Sequence, residues 1–285
     1  MVFLVLGCNG MAGHTIGLYL HERGHEVLGF DRSPSRLISS VCGDARDTGA
    51  LLELLRSRRF DYVVNCIGLL NKTAEERKAD ACLLNSYLPH FLAEATHDTQ
   101  TKVMHMSTDC VFSGSRGGYT ETDLPDGPTF YDRSKALGEL DDGRNITLRN
   151  SIVGPDLNPQ GIGLLNWFMQ ADGLINGFSS VLWTGQTTLQ LAKTMEAAAM
   201  NGASGLVNAV PDHSISKYEL LKLFNRYLLD DRKEIVPCAE PVSDKSLIRT
   251  NYDFDYIIPG YEEMVKEMSE WIMVHKSLYP HYSLR

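Results

Sequence analysis

Little in this sequence would staple it, anchor it or draw it to a partner by charge alone. No two of its six cysteines stand at a Cys-x-x-Cys spacing, and most lie in apolar runs such as VVNCIG. A zinc knuckle or disulfide framework is therefore not expected; free thiols in a reducing cytoplasm are. The nine histidines are read as solvated or hydrogen-bonded, and no metal site is expected. Positive charge is in deficit, with 27 Lys and Arg against 36 Asp and Glu, a formal net charge of −9. That balance disfavours nucleic acid and anionic membrane as partners, while a local phosphate pocket remains open. The longest uncharged stretch, 173–192, is too rich in Gly, Ser, Thr, Asn and Gln to span a bilayer. The opening MVFLVLG lacks a basic leader and reads as a first strand, not a signal peptide. Repeats and low-complexity segments are missing too.

What is present is an ordinary globular balance over 285 residues, 43% hydrophobic and 22% charged, enough for a main α/β domain with a smaller appendage. Apolar runs at 2–6, 26–30, 62–67, 103–106 and 146–149 read as strands. Helical spacing at 11–23, 51–55, 79–95 and 134–140 separates them. Strands apolar throughout, with helices between, predict a doubly wound parallel sheet of Rossmann type. After Ile152 the rhythm changes and Gly and Pro thicken. Ser216 to Glu219 reads as a capping box opening a helix over 218–228, and a last helix is expected over 261–275. The reading is a dinucleotide-binding domain over 1–155 and a smaller C-terminal substrate-binding lobe over 156–285, interleaved with the first.

Between the first strand and first helix stands Gly7-Cys8-Asn9-Gly10-Met11-Ala12-Gly13. Glycines there allow a tight turn and close approach of backbone to a pyrophosphate, which Asn9, Met11 and Ala12 would help hold at the helix N-terminus. Asp31, ending strand two, is placed for an adenosine ribose, and Arg32 for a 2′-phosphate, so NAD(H) and NADP(H) both stay open. Asp44 and Ala45 are placed to meet an adenine, and Asp47 reads as an N-cap. Asn65, Cys66, Ile67 and Gly68 stand at the end of the third strand, and Asn85 on the long helix. Ser107, Thr108 and Asp109 follow a buried strand, where hydroxyls face the crevice. Tyr131 and Lys135, four apart, share a helix face. Arg149 reads as either a diphosphate contact or an ion-pair partner. Asn150, Trp167 and Trp183 are open to substrate, and Phe168 reads as core.

With GCNGMAG, GDARD, STDCVFSG, the segment Tyr119 to Asp123 and YDRSKALGE in order, the chain resembles the extended short-chain dehydrogenase/reductases, and within them the dTDP-4-dehydrorhamnose reductases. The likeness is good over roughly the first 155 residues and looser beyond. It implies NAD(P)H-dependent reduction of a 4-keto-6-deoxy nucleotide sugar for surface polysaccharide. Tyr131 would be the proton donor, Lys135 its cationic support and ribose ligand, and Thr108 the donor to the carbonyl. Ser107, Val111, Phe112, Asn150 and Trp183 would join them around the substrate. Asn65, Cys66, Ile67 and Gly68 would line the cofactor channel, with Asn85 either a buried support or an ordinary helical polar residue. A homodimer is open. The chain departs from the family at His14-Thr15, where some members carry a magnesium-linked glutamate, at Cys110, usually Tyr, and at 182–188, where only Gly185 and Thr188 keep the pattern. The alternatives are a nucleotide-sugar epimerase or a non-catalytic NADP-binding regulatory subunit. Dehydration is disfavoured because Asp109 is followed by Cys110 and not a second carboxylate.

Overall fold

The structure is a computed structural model that describes residues 1–284. Five apolar runs become strands: β1 (Val2–Leu6), β2 (Glu26–Asp31), β4 (Tyr62–Asn65), β5 (Lys102–Ser107) and β6 (Ile146–Arg149). A short edge strand, β3 (Ser40–Cys42), was not expected, since its residues lack an apolar run. The strand Gly205–Asn208 comes from the second half of the chain and pairs with β6. All seven are parallel, in the order Gly205–Asn208, β6, β5, β4, β1, β2, β3. The order reverses between β1 and β4, and the crevice outside their carboxyl ends is where such sheets bind ligands.

Period-two alternation divides the core between the two faces. Phe3 and Val5 of β1 join one buried cluster, with Ile16 and Leu20 of α1 (Met11–Glu22) and Met195 of the helix Thr188–Asn201. Leu4 and Leu6 join the other, with Leu51 of α2 (Thr48–Ser57), Leu88 and Leu92. Burying both faces is why these strands read as unbroken apolar runs.

Two helices differ from expectation. The helix expected over 134–140 is Phe130–Ala136. It starts earlier because Thr129 and Asp132 form a reciprocal capping box, a polar signal that apolar spacing does not register. The long helix expected over 79–95 is α-helical at both ends but π-helical at Cys82–Tyr87. The helices Lys217–Leu229 and Tyr261–Val274 lie where expected, although at Ser216 only the hydroxyl half of the box is present, accepting from Glu219 N–H at 3.1 Å.

The smaller lobe is built from short pairings: Ser151–Val153 with Gly185–Thr187, Ile175–Phe178 with Ile235–Cys238, and Val181–Trp183 with both Ile215–Ser216 and Ser243–Asp244. It is laced to the loop after β5, where Tyr119 N–H donates to Ser246 O at 2.9 Å and Ile248 N–H to Tyr119 O at 2.8 Å. Among the described residues no helix is long and apolar enough to cross a membrane.

Candidate active site

The glycine turn is tight enough to dictate its residues. Gly7 has φ +75°, a conformation that favours glycine. A Cβ on Gly13 would lie 2.0 Å from Gly7 O, so α1 can approach the turn only without one. A Cβ on Gly10 would meet only Gly7 O, at 3.3 Å, and its outer side is open. Gly10 caps α1 without a side chain, which leaves the first N–H groups of the helix for an anion. Behind the turn, His14 is buried and its pKa is lowered by that burial; Nδ1–H donates to Gly10 O at 2.9 Å and Nε2 accepts from Tyr279 hydroxyl at 2.9 Å.

This turn forms one wall of a cleft of about 470 Å³. Gly7, Asn9, Gly10, Met11, Asp31, Arg32, Asp44, Ala45, Cys66, Ile67 and Gly68 all line it, as expected of a cofactor channel. Asp31 accepts from Asn9 N–H at 3.0 Å and Arg32 N–H at 2.7 Å, which ties the end of β2 to the turn. Asp44 is held at 2.5 Å by Arg46, and that hydrogen bond brings its carboxyl down to about 2. Asp47 is the N-cap of α2. Arg46, Arg77, Asp156 and Asn158 also line the cleft but were not anticipated. Arg46 stood inside GDARD and was available; Arg77 and Asp156 come from loops that carry no motif.

Several expected channel residues sit behind the wall rather than on it. Ala12 and Gly13 pack within α1. Asn65 is fully buried; its Oδ1 accepts from Ile67 N–H at 3.1 Å, and its amide nitrogen lies 3.2 Å from His105 Nδ1. Asn85 is a buried support, on the π-helical turn. It accepts from Leu69 N–H at 2.7 Å and donates to Leu69 O and Ser134 Oγ, each at 3.0 Å, which fixes the loop after β4.

At the carboxyl end of β5 the catalytic candidates converge. Thr108 Oγ1 donates to Asp109 Oδ1 at 3.2 Å and accepts from Cys110 N–H at 3.1 Å, beside the buried Tyr131 phenol. Burial pushes the Tyr131 phenol up, and the neighbouring Cys110 adds to that, while the Thr108 hydroxyl opposes it. Lys135 is buried, and burial brings its ammonium down to about 8. Its Nζ donates to Met106 O at 2.6 Å and lies 3.3 Å from His105 Nε2, so in this state it is held by β5 and not by the phenol. Glu75 accepts from Phe130 N–H at 2.6 Å, placing a carboxylate at the start of the helix Phe130–Ala136.

Several expected substrate contacts are placed differently. Ser107 donates to Glu139 at 2.6 Å and is occupied there. Val111 and Phe112 are fully buried, with Phe112 stacked on Tyr119 at 4.1 Å. Both belong to the core because the loop after β5 folds inward beneath the strap 243–250. Arg149 is the ion-pair partner of Glu139, at 2.6 Å, and Phe168 is core. Asn150 and Trp183 are buried, and each has one polar atom unpaired, Oδ1 and Nε1. Trp167 is half exposed. Among the described residues no three His, Cys, Asp or Glu side chains gather as a metal site.

A Rossmann sheet with a glycine turn at its switch point, and Thr, Tyr and Lys grouped at the end of β5, define an extended short-chain dehydrogenase/reductase of the RmlD kind. The chain belongs to the family described as RmlD substrate binding domain, which matches residues 1–146. It is 34% identical over 143 residues to the Haloferax volcanii "Probable low-salt glycan biosynthesis reductase Agl14", covering 49% of this chain and 48% of that protein. The chain thus spans about half the length of that relative. It is 25% identical over 246 residues to the Streptomyces niveus "dTDP-4-keto-6-deoxy-D-glucose reductase", covering 82% of this chain and 81% of that protein. The dTDP-4-dehydrorhamnose reductase of Bacillus anthracis str. Ames, solved in complex with NADP, superposes with a TM-score of 0.79 at 18% identity. It covers 94% of this chain and 98% of that one.

Proposed function

We propose that this chain is an NAD(P)H-dependent reductase of a 4-keto-6-deoxy nucleotide sugar, working in a reducing cytoplasm toward a surface polysaccharide. Residues 1–155 would carry the cofactor and most of 156–285 the sugar. The observation that carries the reading is the grouping of buried Thr108, Tyr131 and Lys135 at the carboxyl end of β5, where Lys135 Nζ donates to Met106 O at 2.6 Å. The cleft suits a dinucleotide because Gly10 leaves an open cradle at the start of α1, while Asp31 and Asp44 border the far end.

Bound NAD(P)H would supply the hydride. The chain's own groups handle the proton. Tyr131 carries its proton at neutral pH, since a phenol's ordinary pKa is near 10 and burial raises it further, and it is the group placed to give that proton to a carbonyl oxygen. Thr108, beside that phenol and now donating to Asp109, would turn to donate to the same oxygen as charge develops there. Lys135 supplies the one cation on the catalytic helix face shared with Tyr131, and it is charged below about pH 8. The Cys110 thiol next to Asp109 is pushed up to about 12 by burial, so it offers no second carboxylate-like base for dehydration.

The test is nicotinamide absorbance against a panel of 4-keto nucleotide sugars, with NADH and NADPH compared. Oxidation with at least one 4-keto-6-deoxy sugar is expected. Tight cofactor binding with no turnover on any of them would favour the regulatory-subunit reading.

A further inference from the structure

Against Lys135 lies a fully buried imidazole, His105 of β5, set between two nitrogens. Its Nδ1 is 3.2 Å from the amide nitrogen of Asn65 on β4, and its Nε2 is 3.3 Å from Lys135 Nζ. Burial keeps the ring neutral, and the neighbouring Lys135 adds to that, so the ring carries a single N–H. Its neighbours decide which nitrogen holds it.

Asn65 is oriented by the backbone. Its Oδ1 accepts from Ile67 N–H at 3.1 Å, so its amide nitrogen is the end that faces His105 and donates to Nδ1. The ring proton then stands on Nε2, aimed at Lys135. An amine accepts that proton through its lone pair while donating to Met106 O at 2.6 Å. An ammonium has no lone pair, and two N–H groups would face each other in a buried site. The arrangement therefore fits Lys135 as an amine. The ammonium needs the other tautomer, with Nε2 accepting from Lys135 and Nδ1–H seeking an acceptor. Asn65 can offer its Oδ1 there only by turning over and giving up Ile67 N–H.

The other groups acting on this pair do not remove the conflict. Glu139 favours the Lys135 charge but is engaged by Ser107 and Arg149. Cys66 is a neutral thiol, pushed up to about 12 by burial. His90 turns its Nε2 to Leu137 O at 2.8 Å, and Tyr131 is a neutral phenol.

We propose that His105 is a tautomeric switch coupled to Lys135, carrying its proton on Nε2 beside the amine and on Nδ1 beside the ammonium. When Lys135 loses a proton to solvent, the ring proton passes from Nδ1 to Nε2, and the ring keeps its charge. Asn65 turns with it, and the Ile67 N–H that it holds or releases belongs to the loop lining the cleft. His105 is thus a positioning residue that ties the charge of Lys135 to the backbone beside the cofactor. Its catalytic meaning rests on the reductase reading, whereas the switch itself lies wholly within the chain.

The experiment is long-range ¹H–¹⁵N NMR of the cofactor-free chain labelled with ¹⁵N-histidine, from about pH 6 to 10, with His105 assigned by its loss in His105→Gln. The Nδ1–H tautomer is expected on the acid side and Nε2–H on the alkaline side. The step should fall near pH 8, where burial brings Lys135. Lys135→Met removes the cation, so Nε2–H is expected at every pH. Asn65→Asp gives Nδ1–H a permanent acceptor and should hold that tautomer throughout. In the same variant the alkaline decline of NADP⁺ affinity, read by calorimetry, should move up by about one pH unit. A single tautomer across the range in wild type, or a step that survives in Lys135→Met, overturns the proposal. Neither spectrum involves cofactor or sugar, so the reductase reading would stand. If wild type turns over no 4-keto sugar, that reading falls and the spectra still decide the switch. Urea unfolding checks each variant, and if Asn65→Asp does not fold, wild type against Lys135→Met decides.

Discussion

Tyr131 is buried beside Thr108 and protonated at neutral pH, while Lys135 four residues on is held against β5. If the phenol is the proton donor, Tyr131→Phe removes the proton but leaves the ring in place. A fall in kcat of about 10²–10⁴-fold with unchanged NAD(P)H affinity is expected, read by stopped-flow and cofactor fluorescence. Lys135 adds a pH dependence whose sign follows from its lowered pKa. Below about 8 the folded protein holds the charged form, and above it the neutral amine. Cofactor affinity should therefore be full on the acid side and decline as pH rises through 8. Lys135→Met should be weak and flat across the same range. Stability moves the other way. The unfolded lysine keeps its proton up to its ordinary value of 10.5, so the burial cost is fully present below 8 and is relieved between 8 and 10.5. At this scale Tyr131, Lys135 and Thr108 were legible in the sequence as spacing and order. Arg77 and Asp156 were not, because neither lies in a motif and only the folded chain brings them to the cleft.

The π-helical turn at Cys82–Tyr87 is the element that most directly shapes the cofactor wall. Widening by one residue per turn lets two successive residues reach the same target: Asn85 donates to Ser134 Oγ at 3.0 Å, and Ser86 Oγ donates to Ser134 O at 2.8 Å. Asn85 also holds both polar backbone groups of Leu69. Asn85→Ala would leave those groups without their partner beside a fully buried site. A loss of about 1–3 kcal/mol in urea unfolding is expected, with weaker cofactor binding because Gly68 and Leu69 line the cleft. Side-chain periodicity showed that a helix existed here but not that it changes pitch, since apolar spacing averages over a single irregular turn. Likewise the start of the catalytic helix lay in Thr129 and Asp132, two polar residues that a search for apolar faces passes over.

Across the whole molecule the two halves of the chain are not laid side by side. The second half lends the sheet its outermost strand, Gly205–Asn208, and its last helices close over the first. The alternation of strands and helices in the first half was plain from its apolar runs. The pairings of the lobe were not, because strands of two to four residues fall below any periodic signal. The contact spanning most of the chain is between Tyr279 and His14, and Tyr282 adds a second by accepting from Asp156 N–H at 3.0 Å at the rim of the cleft. Tyr279→Phe should leave His14 Nε2 buried with no strong donor and cost about 1–3 kcal/mol by urea unfolding.

That contact also has a consequence in time. His14 and Tyr279 are 265 residues apart. At a synthesis rate of about 5–20 residues per second, the turn meant for the cofactor emerges roughly 10–50 s before its brace exists. On the ribosome the glycine turn therefore stands unbraced while the residues between His14 and Tyr279 are made.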